Sequence, residues 1–326
     1  MRAVVYHRYG PPEVLRIEEV PRPSPQPDEI LVRVRATTVN RADCATRDAN
    51  RKSGPAVSLL GRLVSGLRAP RKRVLGSELA GEVAELGSAV ADFSIGDRVF
   101  ANTGFSFGAH AEFACVPESG RVARMPAGAT FEEAAAVTDG FLNASWCLRL
   151  GEAGPGKKVL VYGASGAIGT AGVQLARHLG ARVAAVCNTK NLELVRSLGA
   201  DEVLDYTRGE DFTQTGELYD IVFDAVGKHS FKRSKGSLAR GGRYLATDGF
   251  RNLVLAMWTS RFGDKKVIFK LPPRYTKQDV EVLKELMEAG SYRAVVDRTY
   301  LMDDVIEATK YVETEQKTGS VVMTVA

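Results

Sequence analysis

The residues whose spacing carries the most chemistry lie between Val159 and Gly169, which read Val-Leu-Val-Tyr-Gly-Ala-Ser-Gly-Ala-Ile-Gly. An apolar run leads straight into closely spaced glycines. A helical pattern follows, with Ile168, Gly172, Leu175 and Leu179 on one face. Ala164, Gly166 and Gly169 form an A-x-G-x-x-G core, the dinucleotide fingerprint with alanine at its first place. In that pattern Gly166 lets backbone approach a pyrophosphate, and Gly169 lets helix and strand pack closely. The helix start offers N–H groups and a positive dipole end to the anion. Ala164, Ser165, Gly166, Ile168 and Gly169 are therefore the candidate pyrophosphate-binding residues. The competing reading is a tight strand-to-helix turn with no ligand.

The end of the next strand, Arg182–Cys187, bears on which dinucleotide is bound. An NAD enzyme usually has Asp or Glu there for the ribose 2′-hydroxyl. Here the residues are Asn188, Thr189 and Lys190. No carboxylate in that triplet repels a 2′-phosphate. Lys190 adds a cation and Thr189 a hydroxyl donor, both suited to phosphate. The expected cofactor is NADPH, against the alternative that Lys190 merely decorates a helix start.

These residues need a parallel sheet to hold them, and the pattern after about residue 128 supplies one. Thr130 is a candidate helix N-cap, with Glu132 and Glu133 in the first turn and an alanine-rich body behind. Strands are expected at 158–162, 182–187, 202–204, 221–224, 243–247 and 266–270, separated by helical patterns. Before residue 128 the chain reads as short strands punctuated by Gly and Pro, such as Glu29–Ala36 and Ala111–Val116. After residue 270 a helix at 277–289 and a strand at 320–325 are expected. The fold class is α/β, a doubly wound parallel sheet domain at 128–270 inserted into a β-rich domain made of 1–127 and 271–326.

Bulk properties exclude several classes. With 326 residues, 44% of them hydrophobic and 25% charged, the chain is neither disordered nor fibrous. Its net charge of +5 favours anionic ligands without singling out nucleic acid. Cys44, Cys115, Cys147 and Cys187 form no C-x-x-C pair, which argues against a zinc knuckle or a disulfide framework. The opening residues lack signal-peptide character and no apolar run reaches the ~20 residues of a span, so a cytoplasmic location is expected.

With these pieces in place, the chain resembles a zinc-independent medium-chain dehydrogenase/reductase of the quinone oxidoreductase type. The resemblance rests on Thr38–Asp43, Leu75–Val83, Gly96–Val99, Gly108–Phe113 and the glycine motif. It implies a GroES-like catalytic domain interrupted by a Rossmann domain, with the active site in the cleft between them. Zinc members carry a G-H-E segment. Here Gly76-Ser77-Glu78 puts serine in the histidine's place, and Asn40 falls near the position of the cysteine ligand, so no metal is expected. The resemblance also implies that Lys190 and Tyr206 contact the 2′-phosphate end. It places the turn containing Val226 and that containing Asp248 by the nicotinamide ribose.

Without zinc, an already electrophilic acceptor suits direct hydride transfer, assisted by orientation and hydrogen-bond donors. Expected activity is NADPH-dependent reduction of a quinone or an α,β-unsaturated carbonyl. The alternatives are an enoyl-thioester reductase and a low-turnover NADPH-binding regulatory or RNA-binding protein; the latter is disfavoured because the basic run holds no stacking aromatics. Asn40 and Thr138 are the candidate catalytic residues, each set against a plain structural role as turn former and helical hydroxyl. His110 is read as structural.

Residues 57–73 depart from the resemblance. Leu59, Leu60, Leu63, Val64 and Leu67 have helical spacing, and Arg62, Arg68, Arg71, Lys72 and Arg73 flank them. The plain reading is a packed helix with a solvated basic end. Behind it stand a substrate lid and an interfacial helix in contact with a membrane surface. Expected partners are a small electrophilic substrate and a second copy joined at the Rossmann edge strand near 266–270, with no nucleic acid. The physiological acceptor is not legible.

Overall fold

The computed structural model describes residues 1–325 apart from 52, 53, 248, 271 and 272, and at 55, 56, 60, 64 and 250 the backbone alone. The chain forms two compact units. The first comprises Met1–Thr138, Thr276–Glu288 and Arg293–Ala326, the second Asp139–Tyr275 and Ala289–Tyr292.

The first unit opens with a separate antiparallel pair, β1 (Arg2–Val5) and β2 (Arg16–Glu19). Its organising element is β3 (Glu29–Val39), eleven residues long. Two register irregularities, at Leu31/Val32 and Val34/Ala36, bend β3 enough to serve several partners. Helices α1 (Arg41–Arg47) and α2 (Pro55–Ser65) follow, then β4 (Glu78–Leu86), β5 (Arg98–Asn102), β6 (Phe113–Pro117) and β7 (Arg121–Arg124). Thr130 caps α3 (Phe131–Ala135) through a reciprocal box with Glu133. The alanine-rich body then breaks, and α4 (Thr138–Gly151) starts afresh across the unit boundary.

In the second unit strands and helices alternate: β8 (Lys158–Tyr162), α5 (Ala167–His178), β9 (Arg182–Cys187), α6 (Leu192–Ser197), β10 (Glu202–Asp205), β11 (Tyr219–Asp224), α7 (Phe231–Ser234), β12 (Leu238–Ala246), α8 (Phe250–Arg261) and β13 (Lys266–Ile268). All are parallel, in the spatial order β10-β9-β8-β11-β12-β13. Counted within the sheet this is 3-2-1-4-5-6, the Rossmann order, whose switch point lies between β8 and β11. The strands are buried on both faces, which is why they read as near-continuous apolar runs such as Val159–Val161. The last strand stops at Ile268, two residues short of the expected edge strand.

The chain closes in the first unit with α9 (Lys277–Glu288), β14 (Val296–Leu301), α10 (Val305–Glu313) and β15 (Ser320–Thr324). β14 runs parallel to β15, and β15 pairs antiparallel with β3, giving the path β14-β15-β3-β4-β5-β7 with β6 also on β3. Side chains from β3, β4, β5 and α10, including Ile30, Val32, Leu79, Val99 and Val312, fill one core. Among the described residues no helix is long and apolar enough to cross a membrane.

Candidate cofactor and reaction sites

In the second unit, the loop from β8 to α5 is built by two glycines with different duties. Gly163 has φ +78°, and a Cβ there would lie 2.5 Å from Val226 Cγ1, so Val226 packs against the turn. A Cβ on Gly169 would sit 2.1 Å from the Gly163 carbonyl oxygen, which is the close helix–strand approach the fingerprint implies. Gly166 differs from both. Its φ is −78°, and a Cβ there would meet no atom nearer than 3.7 Å. The protein's own packing does not demand glycine at 166. Its place at the start of α5, where no side chain caps the free N–H groups, leaves room for an anion. Ala164 is fully buried, while Ser165 and Ile168 are half-buried on the loop.

Beyond β9 the structure departs from the expectation of a carboxylate-free end. Parallel pairing sets Asp205, the last residue of β10, opposite Cys187. Thr189 Oγ donates to Asp205 Oδ2 at 2.5 Å, and Thr207 donates to Oδ1 through both its backbone N–H (3.0 Å) and its hydroxyl (2.6 Å). Burial pushes the Asp205 carboxyl up. The hydrogen bonds from Thr189 and Thr207, with Arg208 at 3.4 Å, outweigh that and hold it below the usual carboxylate range. The Thr189 hydroxyl is thus engaged by Asp205, with the Thr207 hydroxyl 2.8 Å away. Asn188 accepts from Asn191 Nδ2 at 2.7 Å. Lys190 is exposed on the same turn, and Tyr206, 47% exposed, begins the turn after Asp205.

At the switch-point side, Asp224 ties three segments together. Its Oδ1 accepts from Val226 N, and its Oδ2 accepts from His229 N and the Tyr244 hydroxyl, both at 2.9 Å. Asp248, expected near the nicotinamide ribose, lies outside the described residues.

In the first unit, Asn40 caps α1. Its Oδ1 accepts from Ala42 N and Asp43 N, and its Nδ2 donates to Ser77 Oγ at 3.1 Å. Asp43 completes the box and also accepts from Gly76 N at 3.0 Å, its carboxyl pushed up by burial and only partly relieved by His110. His110 Nε2 donates to the Thr38 carbonyl at 2.8 Å, consistent with the structural role expected for it. Thr138, fully buried, donates to Glu78 Oε1 at 2.8 Å and accepts from Asn102 Nδ2 at 3.3 Å. Thr38 Oγ donates to Glu78 Oε2 at 2.5 Å. Glu78, Thr38, Ser77 and Asn102 were not singled out from the sequence. The only signal was that Glu78 and Ser77 stand in the segment that would carry zinc ligands.

This donor set does not fit catalytic zinc. Zinc needs three good protein ligands and an open position. Asn40 and Ser77 offer a capping amide and a hydroxyl bonded to each other, and both Glu78 oxygens already accept from threonines. Among the described residues no group of three His, Cys, Asp or Glu could hold a metal.

Residues 26–127 match the alcohol dehydrogenase GroES-like domain, and residues 198–323 match the family described as zinc-binding dehydrogenase. The NADPH-dependent alkenal/one oxidoreductase (chloroplastic) of Arabidopsis thaliana is 33% identical across 99% of this chain and 79% of its own length. The chain belongs to the quinone oxidoreductase-like, zinc-independent medium-chain dehydrogenases/reductases. The quinone-oxidoreductase QR1 of Triphysaria versicolor is 31% identical, covering 94% of this chain and 93% of that one. Among solved structures, the Escherichia coli quinone oxidoreductase complexed with NADPH superposes with a TM-score of 0.82 at 25% identity, over the full length of both chains.

Proposed function

We propose that this protein reduces quinones or α,β-unsaturated carbonyls with NADPH. The observation that carries the reading is Gly166, a glycine that internal packing does not require, at an uncapped helix start in the Rossmann switch region. Membership of a family with NADPH-dependent alkenal/one and quinone reductases supports it.

The residues fit the cofactor. Ala164, Ser165, Gly166, Ile168 and Gly169 would hold the pyrophosphate. Lys190 would pair with the 2′-phosphate, Tyr206 would cover the adenine, and Asn188 and Thr189 would shape that turn. Val226, braced by Asp224, and Asp248 would flank the nicotinamide ribose. NADPH bound there supplies a hydride to an electrophilic carbon. Asn40 and Thr138 are assigned on the reaction side as positioning groups, because their polar atoms are engaged with Ser77 and Glu78 rather than poised for proton transfer. No dedicated acid–base pair is assigned. The enolate or hydroquinone anion formed takes its proton from water, and orientation with hydrogen bonding carries the rate.

Two finer statements belong to the same proposal. The protein acts on a small molecule in the cytoplasm, and it pairs with a second copy through β13, the edge strand of the parallel sheet. The test of the whole reading is oxidation of NADPH by chelator-treated protein against a panel of quinones, 2-alkenals and an enoyl thioester, with NADH alongside. NADPH-dependent turnover of quinones or alkenals that survives the chelator is expected. Turnover confined to the thioester would move the substrate class, and tight NADPH binding without any turnover would sink the enzymatic reading.

A further inference from the structure

The net positive charge of this chain traces to one stretch. Between Ala49 and Ser77 stand Arg51, Lys52, Arg62, Arg68, Arg71, Lys72 and Arg73, with no Asp or Glu among them. Taking these seven from the 44 basic residues leaves 37 against 39 acids, so the whole net positive charge resides in this stretch. None of the six that are described takes part in a salt bridge with another described residue, and Arg68, Arg71, Lys72 and Arg73 are exposed.

Helix α2 at the centre of this stretch turns two of its leucines to solvent. Among the described residues, Gly61, Arg62 and the C-cap Gly66 contact the rest of the unit. A Cβ on Gly61 would come within 3.0 Å of Asn50 Nδ2, and the Arg62 guanidinium lies 5.3 Å from the Tyr9 ring. The Tyr9 hydroxyl donates to the Gly66 carbonyl at 2.8 Å, fixing the helix end. Leu59, Leu63 and Leu67, spaced four apart, are 56%, 57% and 55% exposed. A helix of a globular protein buries its leucines and solvates its arginines. Among the described side chains of α2, Arg62 lies beside Tyr9 while Leu59 and Leu63 face solvent, and exposed Leu67 and four cations follow just past the helix end.

We propose that α2 and the basic run after it dock on an anionic phospholipid bilayer. The leucines enter the boundary between headgroups and acyl chains, and Arg68, Arg71, Lys72 and Arg73 rest among the phosphates. Charge complementarity selects this occupant. A second copy of the chain would oppose the same cations to one another. A nucleic acid would leave the leucines unused and would find no aromatic side chain between Ala49 and Ser77 on which to stack a base. The inference stands independently of the reductase reading, and its test does not measure turnover.

The experiment is flotation of the full-length protein with vesicles of phosphatidylcholine alone and of phosphatidylcholine mixed with phosphatidylserine, at low and high salt. The protein is expected to float with the phosphatidylserine vesicles only, and less at high salt. Two variants separate the parts of the surface: Leu59→Ser with Leu63→Ser and Leu67→Ser, and Arg68→Ser with Arg71→Ser, Lys72→Ser and Arg73→Ser. Each is expected to lower partitioning more than about tenfold while melting with the parent, since the changed side chains are exposed. Leu63→Ser alone, with a smaller loss, keeps the test valid if the triple variant misfolds. Absence of flotation with phosphatidylserine vesicles at low salt would overturn the proposal. So would leucine variants that float like the parent, or leucine variants whose only change is from dimer to monomer.

Discussion

The hydroxyl of Thr189 donates to the carboxylate of Asp205 at 2.5 Å, across the ends of two adjacent parallel strands. In the proposed cofactor site, this pair sets an acid on the side assigned to the 2′-phosphate, with its oxygens held by threonines. Asp205 is buried, and its oxygens accept from Thr189 and from two groups of Thr207. In that proposed site Lys190, exposed on the turn after β9, supplies a cation for the phosphate. Lys190→Ala is expected to weaken NADPH binding by roughly tenfold or more, the worth of a hydrogen bond to a charged group. NADH binding should change by less than about twofold, because the 2′-hydroxyl does not need the cation. Fluorescence titration with both nucleotides decides it; equal losses would mean that Lys190 only supports the fold.

Gly166 and Gly169 separate ligand from packing. Gly166→Ala places its Cβ at ordinary contact distance, 3.7 Å from the Gly163 carbonyl, and at an accessible φ, so the melting temperature should hold within about 2 °C while NADPH binding falls sharply. Gly169→Ala drives a Cβ to within 2.1 Å of the Gly163 carbonyl, and should cost stability by about 1–3 kcal/mol. Denaturant melts paired with NADPH titration distinguish the two. A Gly166→Ala protein that binds NADPH like the parent would remove the main support for the pyrophosphate site.

The difference between these two glycines was half legible. The fingerprint announces itself because strand, glycines and helix are adjacent in sequence. Asp205 lies sixteen residues from Thr189, and only the β9–β10 register brings them together, so reading the triplet Asn188-Thr189-Lys190 alone missed the acid. The same limit hid the Glu78–Thr138 contact, which spans sixty residues. Local signals also misled. The sequence pattern places a strand at 243–247. That strand, β12, begins at Leu238, and the pairing with β11 absorbs the glycines in a register irregularity between Tyr219 and Ile221. β14 escaped notice because Val296–Leu301 interleaves Asp297 and Arg298 and lies at the edge of its sheet, where burial leaves little apolar pattern.

Three of the four cysteines, Cys115, Cys147 and Cys187, are expected to be inert. Burial pushes the Cys115 and Cys187 thiols up to about 11 and Cys147 to about 12. A thiol two units above its ordinary value holds about a hundredth of the usual thiolate. Alkylation of these three at neutral pH, followed by mass spectrometry, should therefore lag well behind a free cysteine peptide. Rapid labelling of Cys147 in the folded protein would contradict its raised thiol pKa.

His229 should set part of the pH dependence of stability. Its ring lies 5.0 Å from Tyr162 and 4.9 Å from Phe212, and its Nδ1 is bonded to Ser234 Oγ at 2.8 Å. Burial, aided by the Arg233 charge, pushes the imidazole below its ordinary 6.5, although Asp224 and Asp211 pull the other way. The folded chain therefore binds this proton less readily than the unfolded chain. The contribution is complete above pH 6.5 and is lost as pH falls from there through the folded value. Urea melts across that interval should show falling stability in the parent and a flatter profile in His229→Phe.

Thr138 ties Glu78 and Asn102 to the start of α4. Its hydroxyl donates to Glu78 and accepts from Asn102, all three being buried. Thr138→Val keeps the shape but withdraws one donor from a buried carboxylate, so it should cost about 1–3 kcal/mol of stability. Thr138→Ser, which keeps the hydroxyl, should recover most of it. A purely structural threonine would stop there, with kcat and KM of the folded variant unchanged. If Thr138 also positions the reaction, Thr138→Val lowers kcat at saturating NADPH and Thr138→Ser restores it. Measuring kcat, KM and unfolding free energy on the same preparations separates the two roles. A valine variant that is destabilised yet turns over like the parent would confine Thr138 to the fold.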